Sequence, residues 1–128
     1  MPPCPDQVRT DRTARFAHTA SMALAATLAA CGMPDVHVEA GRAQVEAGDV
    51  MTFRIEARAQ ELDRVLLEYG DGLVDTALAR GARRITGRFL HTYQLPGRYE
   101  VRAVATQASG LAASSALRIR VLPRDPRR

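Results

Sequence analysis

Tyr69-Gly70-Asp71-Gly72, His91-Thr92-Tyr93 and Pro96-Gly97-Arg98-Tyr99-Glu100-Val101 belong to one stretch in which two turn signals bracket alternating apolar segments. Glycine reaches positive φ at no steric cost and aspartate bonds back to nearby amides, so Gly70-Asp71-Gly72 predicts a tight reversal. Pro96-Gly97 predicts a second reversal, feeding a strand over residues 99–105 in which Tyr99, Val101, Ala103 and Ala105 alternate with Glu100, Arg102, Val104 and Thr106. The stretch defines a shape and carries no catalytic grouping.

The same period of two extends outward in both directions. Val36, Val38 and Ala40 alternate with His37 and Glu39, and Met51, Phe53, Ile55 and Ala57 with Thr52, Arg54, Glu56 and Arg58. Val65, Leu67 and Tyr69 share a face opposite Arg64 and Glu68, with Leu66 out of pattern. Residues 73–79 fit an edge strand or a helical turn, and residues 85–90 read as a strand with a bulge at Gly87. Leu117, Ile119 and Val121 form the last strand, residues 107–115 its hairpin loop, and residues 123–128 a charged tail. The expectation is an all-β chain, an antiparallel β-sandwich of about seven strands over residues 36–122.

This region resembles the PKD domain, an immunoglobulin-like β-sandwich of extracellular proteins. The resemblance rests on the aromatic-Gly-Asp-Gly turn at Tyr69 to Gly72 and on His91-Thr92-Tyr93 followed by Gly97-Arg98-Tyr99-Glu100-Val101. Leu67 stands where many relatives carry a core tryptophan, which lowers the apolar area available for burial. The family implies a binding or spacing role beside enzymes or on cell surfaces, with no shared catalytic residue.

The first thirty residues are of another kind. Arg9, Arg12 and Arg15 precede an uncharged, alanine-rich segment ending in Leu28-Ala29-Ala30-Cys31-Gly32. A positive start, an apolar middle and small residues before a cut are the parts of a secretory signal, too short and weakly apolar for a transmembrane helix. Leu-Ala-Ala-Cys resembles the lipobox of bacterial lipoproteins, which implies cleavage after Ala30, lipid attachment at Cys31 and residues 31–35 as tether. In that family Gly32, rather than aspartate, implies the outer membrane, facing the periplasm, in a Gram-negative host. The plain alternative is an alanine-rich helix of a cytosolic protein with Cys31 near its end.

All basic side chains are arginine, 18 against 14 acids, for a formal charge of +4. They alternate with glutamate along strands rather than lining a helix, and no aromatic series is placed to stack on bases, which argues against nucleic acid. The one arginine cluster, Arg80, Arg83, Arg84 and Arg88, is the candidate contact for an anionic membrane surface. Glu68, Asp71 and Asp75 surround one turn and offer oxygen ligands for calcium, without EF-hand spacing. Gly70, Asp71, Gly72, His91, Tyr93, Gly97 and Tyr99 read as turn and corner residues, with His91 and Tyr93 as braces rather than a proton-transfer pair. Nucleophile-elbow, zinc-protease, phosphate-loop and cysteine-cluster motifs are all missing from the sequence.

The expected function is a lipid-anchored, non-catalytic binding or scaffolding module for an envelope protein or glycan, without cofactor. Two alternatives remain: a spacer or accessory subunit of a secreted hydrolase or transport complex, and a cytosolic basic nucleic-acid-binding domain.

Overall fold

Eight strands follow one another, and alternating burial along each divides them into two sheets with facing apolar sides. The computed structural model describes residues 32–128; the signal segment, Cys4 and Cys31 lie outside the described residues. The strands are β1 (Asp35–Ala40), β2 (Gln44–Glu46), β3 (Val50–Arg58), β4 (Leu62–Glu68), β5 (Val74–Leu78), β6 (Arg84–Thr92), β7 (Gly97–Gln107) and β8 (Ala112–Leu122). One sheet has the order β1-β3-β6 and the other β2-β8-β7-β4-β5. Every pairing is antiparallel except β2 with β8.

Between the sheets lie Met51, Phe53 and Ile55 from β3, Val65 and Leu67 from β4, Tyr69, Tyr93 and Val101, each nearly or fully removed from water. Leu67 is fully buried, so the missing tryptophan is replaced by a smaller side chain that still points inward. Packing across the sandwich, rather than strand propensity, sets which face each residue takes.

Of the two alternatives for residues 73–79, the edge strand is the one formed, as β5. Three details depart from the sequence-based expectation. Gly87 pairs regularly with Ile55, and its lack of a side chain serves packing: a Cβ there would stand 3.0 Å from the Phe89 ring. The register shift lies instead between Leu62 and Arg64, where β4 meets β7. The β7–β8 connection is shorter than residues 107–115, because both strands run on through small residues, Ala112 pairing with Thr106 and Ser114 with Val104. β2 was not anticipated: three residues are too few for a periodic signal, and its partner, β8, is far along the chain.

The register fixes two ends. Asp35, where β1 begins, is level with Arg58 of β3, which is level with Arg84 of β6. The 59–61, 79–83 and 108–111 connections lie at this entry end. The Tyr69 to Gly72 turn, the β6–β7 connection and the exit of β8 lie at the other.

Phe53→Ala removes the aromatic side chain on which both sheets close. We expect a loss of about 3–5 kcal/mol, read as a lowered urea midpoint.

Candidate functional site

The candidate residues gather at the far end, where β4 turns into β5. Gly70 has φ 85° and Gly72 φ 93°, the left-handed region that side chains avoid. A Cβ on Gly70 would also stand 2.6 Å from the Glu100 carbonyl oxygen, so the turn lies against the β7 backbone. Asp71 divides its carboxylate: Oδ1 accepts the Leu73 amide at 3.1 Å, and Oδ2 lies 2.7 Å from His91 Nε2. A carboxylate can only accept, so Nε2 carries a proton in this bond.

Tyr69 and Tyr93 complete the corner. The Tyr93 hydroxyl donates to the Tyr69 carbonyl at 2.8 Å, and the Tyr69 hydroxyl to Asp75 Oδ2 at 2.5 Å. The rings form a continuous row of contacts, of which Tyr69 with His91 is the stacked pair. Phe53 lies 5.5 Å from Tyr69, Tyr69 lies 3.8 Å from His91 at 3°, and His91 meets Tyr93 edge-on at 4.6 Å. Tyr93 is 4.4 Å from Tyr99, whose hydroxyl donates to the Leu95 carbonyl. Gly97 opens β7 beside the Tyr99 ring.

Chemically this is a brace. The imidazole is covered by one tyrosine, edged by another and bonded through Nε2 to Asp71, which ties the turn after β4 to the end of β6. Burial first, then the hydrogen bond to Asp75, pushes the Tyr69 phenol well above its ordinary value; burial and the Asp71 charge do the same for Tyr93.

The proposed calcium ligands do not converge. Asp71 and Asp75 are bonded to His91 and Tyr69, Glu68 is exposed, and among the described residues no group of three or more His, Cys, Asp or Glu is placed to hold a metal ion.

The arginine cluster is divided. Arg80 and Arg83 lie in the β5–β6 connection, Arg80 with φ 50°, while Arg84 and Arg88 face outward along β6. Arg84 and Arg58 both reach Glu56 Oε1, at 3.2 and 2.7 Å, and the Arg58 hydrogen bond, ahead of the Arg84 charge, holds the Glu56 carboxyl below its usual range.

Arg88 stands opposite Arg54, and Arg98 opposite Arg120, all four without an ion-pair partner among the described residues. Arg54 and Arg88 line a shallow depression of about 270 Å³ with Glu39, Ala40, Gly41 and Thr52. Sequence reading missed these opposed pairs because register, not spacing, creates them. It also missed Asp75 as the partner of Tyr69, although an acid a few residues beyond a turn tyrosine was the available signal.

An eight-stranded sandwich with this corner is an immunoglobulin-like β domain. Residues 35–121 match the PKD domain family model, and the chain belongs to that family. Its fold is similar to the PKD domain of an M14-like peptidase from a Thermoplasmatales archaeon, with TM-score 0.58 and 20% identity over 73% of this chain and 95% of that one. It is also similar to a structure titled for the promiscuous specificity of carbohydrate-binding modules of the β-sandwich superfamily: TM-score 0.57, 19% identity, 73% of this chain and 36% of that one. A CARDB domain from Pyrococcus furiosus, solved with di-metal ions, aligns at TM-score 0.52 and 13% identity over 72% and 96%. No curated protein matches the chain in sequence.

Two outcomes test the corner. Gly72→Ala, with open space around it, should cost about 1 kcal/mol, whereas Gly70→Ala, which adds a backbone collision, should cost about 3 kcal/mol; chemical denaturation separates them. The two tyrosines are held neutral in the fold, while an unfolded tyrosine ionises near about pH 10. Their contribution is therefore complete below that pH and is lost as pH rises above it. Alkaline unfolding should be less steep in Tyr93→Phe, followed by circular dichroism against pH.

Proposed function

We propose that this protein is a lipid-anchored, non-catalytic PKD module that binds a protein partner at the cell envelope. The observation that carries the reading is the position of Leu28-Ala29-Ala30-Cys31, four residues ahead of a β-sandwich whose only Asp–His pair is spent on bracing. Domains of this family are typically accessory modules without catalysis, which supports the same reading.

A protein partner is preferred over a glycan because the described residues present no exposed aromatic platform. Phe53, Tyr69 and Tyr93 are buried, and Phe89 and Tyr99 are half-buried against the core, so no described aromatic side chain is exposed to pack on a sugar ring.

The anchor also orients the module. From Cys31 to Asp35 an extended chain spans at most about 14 Å, so the entry end lies close to the bilayer. Arg80, Arg83, Arg84 and Arg58 are at that end, with exposed Met33 and Leu111. Arg88 is four residues further along β6, about 13 Å away, and takes no part in the contact. The far end, carrying the braced turn, is presented outward for a partner.

The spacer reading is supported by the similarity to a peptidase's PKD domain, a likeness of fold alone. A spacer should retrieve nothing from detergent-solubilised envelope, whereas a binding module should retrieve one stoichiometric partner.

Radiolabelled palmitate should enter the wild-type protein and not Cys31→Ser; equal labelling of both overturns the anchor. In anchored protein, Arg80→Glu with Arg83→Glu should weaken the domain's salt-sensitive contact with anionic bilayers at least tenfold, at about 1 kcal/mol per basic residue, measured by accessibility of the entry-end loops to protease.

A further inference from the structure

A sheet edge left unpaired is a row of free backbone donors and acceptors, and folded proteins blunt such edges with charge or brevity. The sandwich has four. β2 has three residues. β1 directs Asp35, His37 and Glu39 outward, and β6 directs Arg84 and Arg88 outward. β5 differs: its outer face carries Val74, Thr76 and Leu78, with Val74 and Leu78 50% and 62% exposed, while its one charge, the exposed Asp75, belongs to the other face and is bonded to Tyr69.

The ladder shows which backbone groups are free. Tyr69 N–H donates to the Leu73 carbonyl and Ala79 N–H to the Asp63 carbonyl, with Leu67 level with Asp75 and Val65 with Ala77. In an antiparallel pair bonded positions alternate, so Asp75 and Ala77 exchange bonds with β4. The N–H and C=O groups of Val74, Thr76 and Leu78 therefore point away from the sheet.

These three positions are self-complementary. We propose that β5 is a homodimer edge: two copies pair antiparallel about Thr76 and join their five-stranded sheets into one. In this register Thr76 meets Thr76, and Val74 of each copy meets Leu78 of the other, so every free donor finds an acceptor. The exposed aliphatic side chains cover one another on the outer face. Charge agrees with the direction of pairing. Arg80 follows one end of β5, Glu68 is level with the other, and neither has an ion-pair partner among the described residues. Antiparallel pairing sets the basic end of one copy beside the acidic end of the next.

A five-residue edge buries less than the roughly 1,200 Å² of a stable interface. The dimer is therefore weak in dilute solution, and confinement on a surface, where effective concentration is high, strengthens it. The pairing itself rests on the described strands and not on the anchor.

Cysteine cross-linking of the full-length chain tests the register, with the unsubstituted chain, carrying Cys4 and Cys31, as control. Paired Thr76 Cα atoms would be about 5.5 Å apart, within disulfide range, so Thr76→Cys should dimerise under mild oxidant. A mixture of Val74→Cys and Leu78→Cys should cross-link at least tenfold faster than Val74→Cys alone. Adding Leu78→Lys to Thr76→Cys should lower its yield at least tenfold with an unchanged denaturation midpoint. Dimer no greater than control for Thr76→Cys, or Val74→Cys reacting as fast alone as in the mixture, overturns the proposal.

Discussion

No backbone ladder joins the two sheets, so the far end depends on side chains that cross from one to the other. The decisive bond is the Tyr93 hydroxyl to the Tyr69 carbonyl, from the strand leaving one sheet to the turn leaving the other. The Asp71–His91 bond repeats the crossing close by, and the Tyr69 ring lies flat on the imidazole between them. Each polar group in this corner satisfies another, and no buried side-chain nitrogen or oxygen among the described residues lacks a partner. A buried hydrogen bond adds only about 1 kcal/mol, but an orphaned group costs more, so the corner specifies one closure of the sandwich.

Much of the fold was legible because burial imposes a period of two. Met51, Phe53, Ile55 and Ala57 all face inward, as do Val101, Ala103 and Ala105. The illegible parts are those governed by distance along the chain. β2 exists because β8 supplies its partner, and the full length of β7 and β8 is set by pairing between small residues with weak strand preference. Gly87 showed the limit of reading one residue in isolation: a strand glycine signals either a bulge or a close neighbour, and here Phe89 is the neighbour.

The candidate site was legible in identity but not in wiring. Asp71, His91, Tyr69 and Tyr93 stood out by type and spacing. Which oxygen met which nitrogen depended on the sheets closing, and Asp75 changed from a prospective metal ligand to the acceptor of a tyrosine proton. Arginines close in sequence separated in space, while Arg54 and Arg88, distant in sequence, became cross-strand neighbours.

The pairing of β2 with β8 bears on the order in which the molecule is made. β8 is the last strand, yet it sits inside the larger sheet, between β7 and β2. Until it emerges, β2 has no ladder and the outer edge of β7 stays open. The chain cannot complete its sandwich progressively from the amino terminus; it must wait for its final strand. Closure of this kind joins remote segments and falls in the millisecond-to-second range of sandwich folds. Nascent chains ending before Ala112 would lose two strands by the omission of one.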